Sequence, residues 1–113
     1  NMRPKWTKKL SEVTLQKTVV KEYLSEKTGN KYSTDVIPAF RLVSTGSIEE
    51  KENGYKYAVV DAVNGLEYEV TAPEKIEVKF GMVVEFSNFR GGALSNGVGW
   101  YKADKIREVQ RGS

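Results

Sequence analysis

The chain has 113 residues, 39% of them apolar and 29% charged, with a formal net charge of +3. That is the size and make-up of one globular domain with a modest core. It contains no cysteine and no histidine, which excludes disulfides, thiolate catalysis and cysteine-bound zinc, and removes the commonest general base and transition-metal ligand.

No apolar run approaches the ~18 residues of a membrane-spanning helix, and no apolar signal segment stands near the start. The expected setting is therefore the cytoplasm, away from membrane. Asn1 ahead of Met2, and the final Gly112-Ser113, read as remnants of a tag. Charge is unevenly spread: residues 1–31 carry +5, residues 32–87 carry −5 and residues 88–113 carry +3. Basic ends of this kind suit phosphate, and an acidic middle does not.

In chain order, residues 1–10 form a basic arm with Arg3, Lys5, Lys8, Lys9 and an embedded Trp6. Residues 11–30 are expected to hold a helix packed on the domain. Val13, Val20 and Leu24, with Val19 and Tyr23, make a helical stripe, Ser11 suits an N-cap and Gly29 a C-terminal stop. Val13, Leu15 and Val19 also alternate, and Thr14, Thr18 and the valines favour strand. Residues 31–111 read as short strands. Val36 to Ile48 is the first, with Pro38 marking an edge and Gly46 a bulge or bend. A charged loop, Glu49–Gly54, leads to a second strand, Tyr55 to Val63. Asn64-Gly65 predicts a two-residue type I′ hairpin turn. In the third strand, Leu66 to Ala72, Leu66, Tyr68 and Val70 point one way and Glu67, Glu69 and Thr71 the other. Pro73 to Val78 is a connection, Met82 to Phe89 the fourth strand and Val98 to Val109 the fifth, with a turn near Asp104-Lys105. Five strands with a long bent first member predict a mainly β fold, a small five-stranded OB-like barrel. An SH3-like barrel or a sandwich fragment fits less well.

Such a barrel binds oligonucleotides across its second and third strands, framed by the loops between strands one and two and between strands four and five. Here those loops are Glu49–Gly54 and Arg90–Gly99. On the second strand Tyr55, Tyr57, Val59 and Asp61 share a face expected to point outward, with Ala58, Val60 and Ala62 in the core. Tyr55, Tyr57 and Trp100 are then stacking platforms, each worth about 1–3 kcal/mol per base. Arg41, Arg90, Lys102, Lys105 and Arg107, with Lys56 and the arm, are expected to neutralise phosphate. Glu67, Glu69 and the acidic first loop oppose that reading. Gly91-Gly92 and Gly97-Val98-Gly99 match no phosphate-binding loop. Asp61, Glu67 and Glu69 lack the spacing of a calcium loop. No cofactor, metal or enzymatic activity is expected.

The run Val83-Val84-Glu85-Phe86-Ser87-Asn88, then a loop and Trp100-Tyr101-Lys102-Ala103-Asp104-Lys105-Ile106, resembles the end of small proteins encoded by conjugative transposons and integrative conjugative elements of Gram-positive bacteria. Thr71-Ala72-Pro73, with Phe80 following, resembles their Pro-Ala segment ahead of a Phe. The resemblance covers roughly residues 66–109. Phe89 stands where the family tends to have Pro, the WYKAD run is one residue shorter, and Lys105 replaces an Asp. The resemblance implies an OB-like barrel in element transfer or replication, similar to accessory factors that help a helicase unwind DNA through single-strand contact. The expectation is thus a non-enzymatic, single-stranded DNA-binding accessory protein. The alternative is a module that docks on a helicase, relaxase or coupling protein without touching DNA.

Overall fold

The computed structural model describes residues 9–109, so the basic arm lies almost wholly outside the described residues. A short helix, α1 (Leu10–Thr14), precedes seven strands: β1 (Val19–Leu24), β2 (Lys31–Lys51), β3 (Gly54–Asp61), β4 (Leu66–Ala72), β5 (Val83–Ala93), β6 (Gly99–Lys102) and β7 (Lys105–Glu108). Five of them close a barrel in the order β2-β3-β4-β6-β5, and β5 pairs back onto β2. All its pairings are antiparallel except β4–β6, which is parallel. The mainly β, five-stranded barrel expected from the sequence is therefore the observed fold, with β1 and β7 added at its edges.

The length of β2 makes closure feasible. Its Lys31–Val36 portion pairs with β1, Ile37–Val43 with β5, and Val43–Lys51 with β3. Pro38, which has no N–H to donate, sits where pairing passes from β1 to β5. Gly46, at φ +88°, lies in the register break between Ser44 and Ile48, so the predicted bulge is present.

The helix expected over residues 11–28 is not there. Only its first turns are helical, and Leu15, in the left-handed region at φ +60°, ends them. Val19–Leu24 is a strand instead, paired from Val19 with Val36 to Leu24 with Lys31. β-branched residues stiff at χ1 favoured that outcome once a partner strand was available. Leu10 and Val13 of α1 are buried, and Leu10 joins the barrel core.

That core is aromatic. Phe40, Tyr68, Phe89 and Tyr101 meet with ring centroids 4.9–5.9 Å apart, mostly edge to face. Asn88, at φ +54°, interrupts the alternation of β5, so Phe89 rather than Asn88 follows Val84 and Phe86 inward. Asn tolerates that left-handed conformation better than most residues.

Two turns differ from expectation. Glu49 and Glu50 are paired strand residues, so the β2–β3 loop contracts to Glu52-Asn53 between the partners Lys51 and Gly54. The β3–β4 hairpin is present, but four residues, Ala62 to Gly65, lie between the partners Asp61 and Leu66. Gly65 has φ +69° and Asn64 does not have positive φ, which rules out type I′. The Asp61 carboxylate decides this, accepting from the N–H groups of Val63 and Asn64 at 3.0 and 3.3 Å and from the Asn64 amide at 2.8 Å. The predicted fifth strand is split into β6 and β7 at Ala103-Asp104, close to the turn expected there.

Candidate nucleic-acid interface

The outward face of β3 is the reverse of the expected one. Tyr57, Val59 and Asp61 are buried, and Ala58 and Val60 are only partly covered on the outside. Tyr57 has no exposed surface and packs edge-on to Phe86 at 6.2 Å. Its hydroxyl donates to the Glu74 carbonyl at 2.7 Å and accepts from the Ile76 N–H at 3.0 Å. Burial raises its pKa. Tyr55 is half-buried against the core. The barrel interior takes the bulkier side chains and leaves Ala58 outside, and the Tyr57 hydroxyl finds partners in the connection after β4. Tyr57 is thus a core residue and no stacking platform.

Arg90 is also internal, 7% exposed. It begins no loop: Arg90–Ala93 continue β5 and pair with β6. One guanidinium nitrogen, Nη1, donates to Asp104 Oδ1 at 2.8 Å, to the Asn88 carbonyl at 2.9 Å and to the Tyr23 hydroxyl at 3.1 Å. The guanidinium also lies 4.2 Å from the centroid of the Tyr23 ring. Asp104 accepts further from Tyr23 at 3.0 Å and from the Asn88 amide at 2.9 Å. Burial alone would raise the Asp104 pKa; the donors Asn88 and Arg90, the Arg90 charge and the Tyr23 hydroxyl outweigh it and hold the carboxyl below its usual range. This cluster fastens β1 to the barrel, so Arg90 is committed to structure.

Arg41 and Arg107 flank Glu85 across β2, β5 and β7, at 3.0 and 2.9 Å. The Arg41 hydrogen bond, helped by Arg107 and opposed by burial, lowers the Glu85 pKa. Both arginines are therefore already partly neutralised, and they stand on a different part of the barrel wall from Trp100. Lys105 is exposed on the same β7 strip.

Two of the expected residues, Trp100 and Lys102, do stand together outside on β6, with Tyr101 turned into the core between them. Trp100 is 41% exposed. Its indole lies over Gly92, its register partner on β5: a Cβ there would come within 2.7 Å of the ring nitrogen. Only glycine allows the ring to rest on bare backbone at that point.

Trp100 lies between two depressions. The first, a groove of about 320 Å³, is walled by Lys56, Glu67, Glu69 and Thr71 on β3 and β4, and by Leu94, Asn96 and Val98 on the β5–β6 turn. Lys56 is paired with Glu69 at 3.2 Å. The second, a cleft of about 620 Å³, runs past Lys102, Thr71 and Pro73, with Asn53 from the β2–β3 turn and Glu26 from the β1–β2 connection. The two hairpin turns expected to frame a ligand thus do border this surface. Lys102 has no ion pair among the described residues, whereas Lys56 does.

The sequence reading missed the groove's Glu67, Glu69, Leu94 and Val98 as site residues. Leu94 and Val98 lie within the Arg90–Gly99 segment expected to frame a ligand, and the signal of Glu67 and Glu69 was the outward alternation of β4. It counted against binding because the acidic pair was weighed as a phosphate surface. Among the described residues no three metal-binding side chains gather, and no helix is long and apolar enough to cross a membrane.

No family model, curated protein or solved structure matches this chain.

Proposed function

We propose that this is an OB-type barrel that binds single-stranded nucleic acid, as a non-enzymatic accessory protein of DNA processing in a conjugative element. The OB assignment is supported by the closed order β2-β3-β4-β6-β5 with a parallel β4–β6 pair, by the long bent β2, and by the two hairpin turns beside the candidate surface. The binding reading rests on one observation: Trp100 presents its indole to solvent, backed by Gly92, between two depressions and beside Lys102. A base stacks on such a ring whatever its identity, and the neighbouring lysine takes the phosphate. The strand runs from the groove over Trp100 into the cleft. The conjugative setting, the helicase partnership and a cytoplasmic location come from the resemblance of residues 66–109.

The charge inventory sets a quantitative mark. Among the described residues at this surface, Lys102, and Lys56 when released from Glu69, provide one or two phosphate contacts. Binding to these residues therefore weakens with salt at a log–log slope of about 0.7–1.4 for single strands, shallower than the six cations expected on the barrel would give. Anisotropy of a labelled single strand across a salt series tests this. A slope within that range, lost affinity in Trp100→Ala and weak duplex binding support the reading; no binding at low salt refutes it.

A second reading, docking on a helicase, relaxase or coupling protein, is favoured by β1. It is an edge strand with Val20 and Leu24 exposed, open to pairing with another chain. Capture of such a partner without nucleic acid, abolished by Val20→Lys, would favour it.

A further inference from the structure

The groove beside Trp100 holds carboxylates where a phosphate-binding surface should hold cations. Among the described residues, Glu67 and Glu69 share the groove with one lysine, Lys56, which pairs with Glu69. Glu67 has no ion pair among the described residues. A phosphate placed there would meet excess negative charge. A base would not, because its amino and imino groups are donors, and ionised carboxylates are pure acceptors.

We infer that Glu67 reads the edge of the base stacked on Trp100 and selects guanine. This rests on the single-strand reading above. Guanine presents two adjacent donors, N1–H and the N2 amino group, which match the two oxygens of one carboxylate. Cytosine and adenine each offer one amino donor beside a ring acceptor, which a carboxylate repels. Thymine and uracil offer one imino donor between two carbonyls. Bases in unpaired strands are recognised in this way, stacked on an aromatic plane and hydrogen-bonded along their pairing edge. The geometry supplies both parts independently: an aromatic plane fixed on Gly92, and a groove of about 320 Å³ with an acceptor on its wall. The volume is at the low end for ligand sites and suits one base rather than several. Glu67 is a specificity residue, and Trp100 supplies the affinity.

The test uses the full chain and short labelled strands of thymine carrying one central guanine, cytosine, adenine or thymine. The guanine strand is expected to bind at least about fivefold tighter than the all-thymine strand, the lower bound for a bidentate base contact, with cytosine and adenine between. Glu67→Gln, which replaces one acceptor by a donor, is expected to bring the guanine and thymine strands within about twofold of each other. Binding of all four strands with equal affinity overturns the inference and leaves the single-strand reading intact. Guanine preference that persists in Glu67→Gln also overturns it. Failure of every strand to bind removes both.

Discussion

Arg90 stacks its guanidinium 4.2 Å from the centroid of the Tyr23 ring and donates to that ring's hydroxyl at 3.1 Å. Two residues far apart in sequence are joined through face and edge at once. Among the described residues β1 pairs with β2 alone, and this contact, with the Tyr23–Asp104 bond and the Lys21–Asp104 pair at 3.5 Å, joins it also to β5 and to the β6–β7 connection.

Breaking that tie has a graded cost. Arg90→Ala removes a buried cation and leaves Asp104 with Tyr23, Asn88 and Lys21 but without its closest charged partner. Asp104 is 30% exposed, so the expected loss is about 2–3 kcal/mol, below that of a fully buried pair. Tyr23→Phe keeps the ring under Arg90 and loses one hydroxyl, for about 1 kcal/mol. Urea unfolding of both variants measures the order; equal losses would contradict it.

This cluster and the Arg41–Glu85–Arg107 group give stability an acid and an alkaline limb. The folded pKa values of Asp104 and Glu85 are depressed. The stability they confer is complete above their unfolded values, near pH 4, and is lost as pH falls through the lower folded values. Stability is expected to be level near neutrality and to drop below about pH 4, less steeply in Asp104→Asn. Tyr23 goes the other way: burial, opposed by the Arg90 charge, pushes its pKa up to about 12. Its contribution is present below about pH 10 and lost as pH rises toward 12. Thermal melts across pH, with Tyr23→Phe flattening the alkaline limb, check both signs.

Two core tyrosines should respond oppositely to loss of the hydroxyl. Tyr57→Phe abandons the Glu74 carbonyl and the Ile76 N–H, and is expected to cost about 1–2 kcal/mol while leaving single-strand affinity unchanged. The Tyr68 hydroxyl is buried with no hydrogen-bond partner among the described residues. Tyr68→Phe is expected to be neutral or to stabilise by up to about 1 kcal/mol, because a buried unpaired hydroxyl is a desolvation cost. Chemical denaturation of the pair distinguishes them, and a large loss in Tyr68→Phe would contradict this.

Gly92→Ala tests the platform without touching its ring. The new methyl would overlap the indole, so Trp100 must swing away from its seat. The expected result is a shifted tryptophan emission and severalfold weaker strand binding, with the barrel still folded. Unchanged emission and affinity would show that the seat is unimportant.

The parts of this molecule that were legible in the sequence were those fixed by local pattern. β4 alternates Tyr68 and Val70 against Glu67 and Glu69, and only one face can go inside. The Gly46 bulge and the interruption near Asp104 were equally local. β3 was not legible, because Tyr55-Lys56-Tyr57-Ala58-Val59-Val60 has apolar residues on both faces and period two alone cannot choose. Val19–Leu24 was ambiguous for a related reason: its stripe fits a helix, and only the partner segment Lys31–Val36 makes it a strand. The role of Arg90 depends on Tyr23, 67 positions away, and on Asp104. Side chains that distant meet only through topology, so a basic residue after a strand looked like a free cation.

The central claim is that the indole of Trp100 carries single-strand binding. The most direct measurement is the affinity of one labelled strand for the unaltered chain, Trp100→Ala and Trp100→Phe, with a duplex control and a melt for each. The account predicts a loss of about 1–3 kcal/mol in Trp100→Ala, partial retention in Trp100→Phe, and melts that match the parent. Equal affinity of the parent and a folded Trp100→Ala would contradict it.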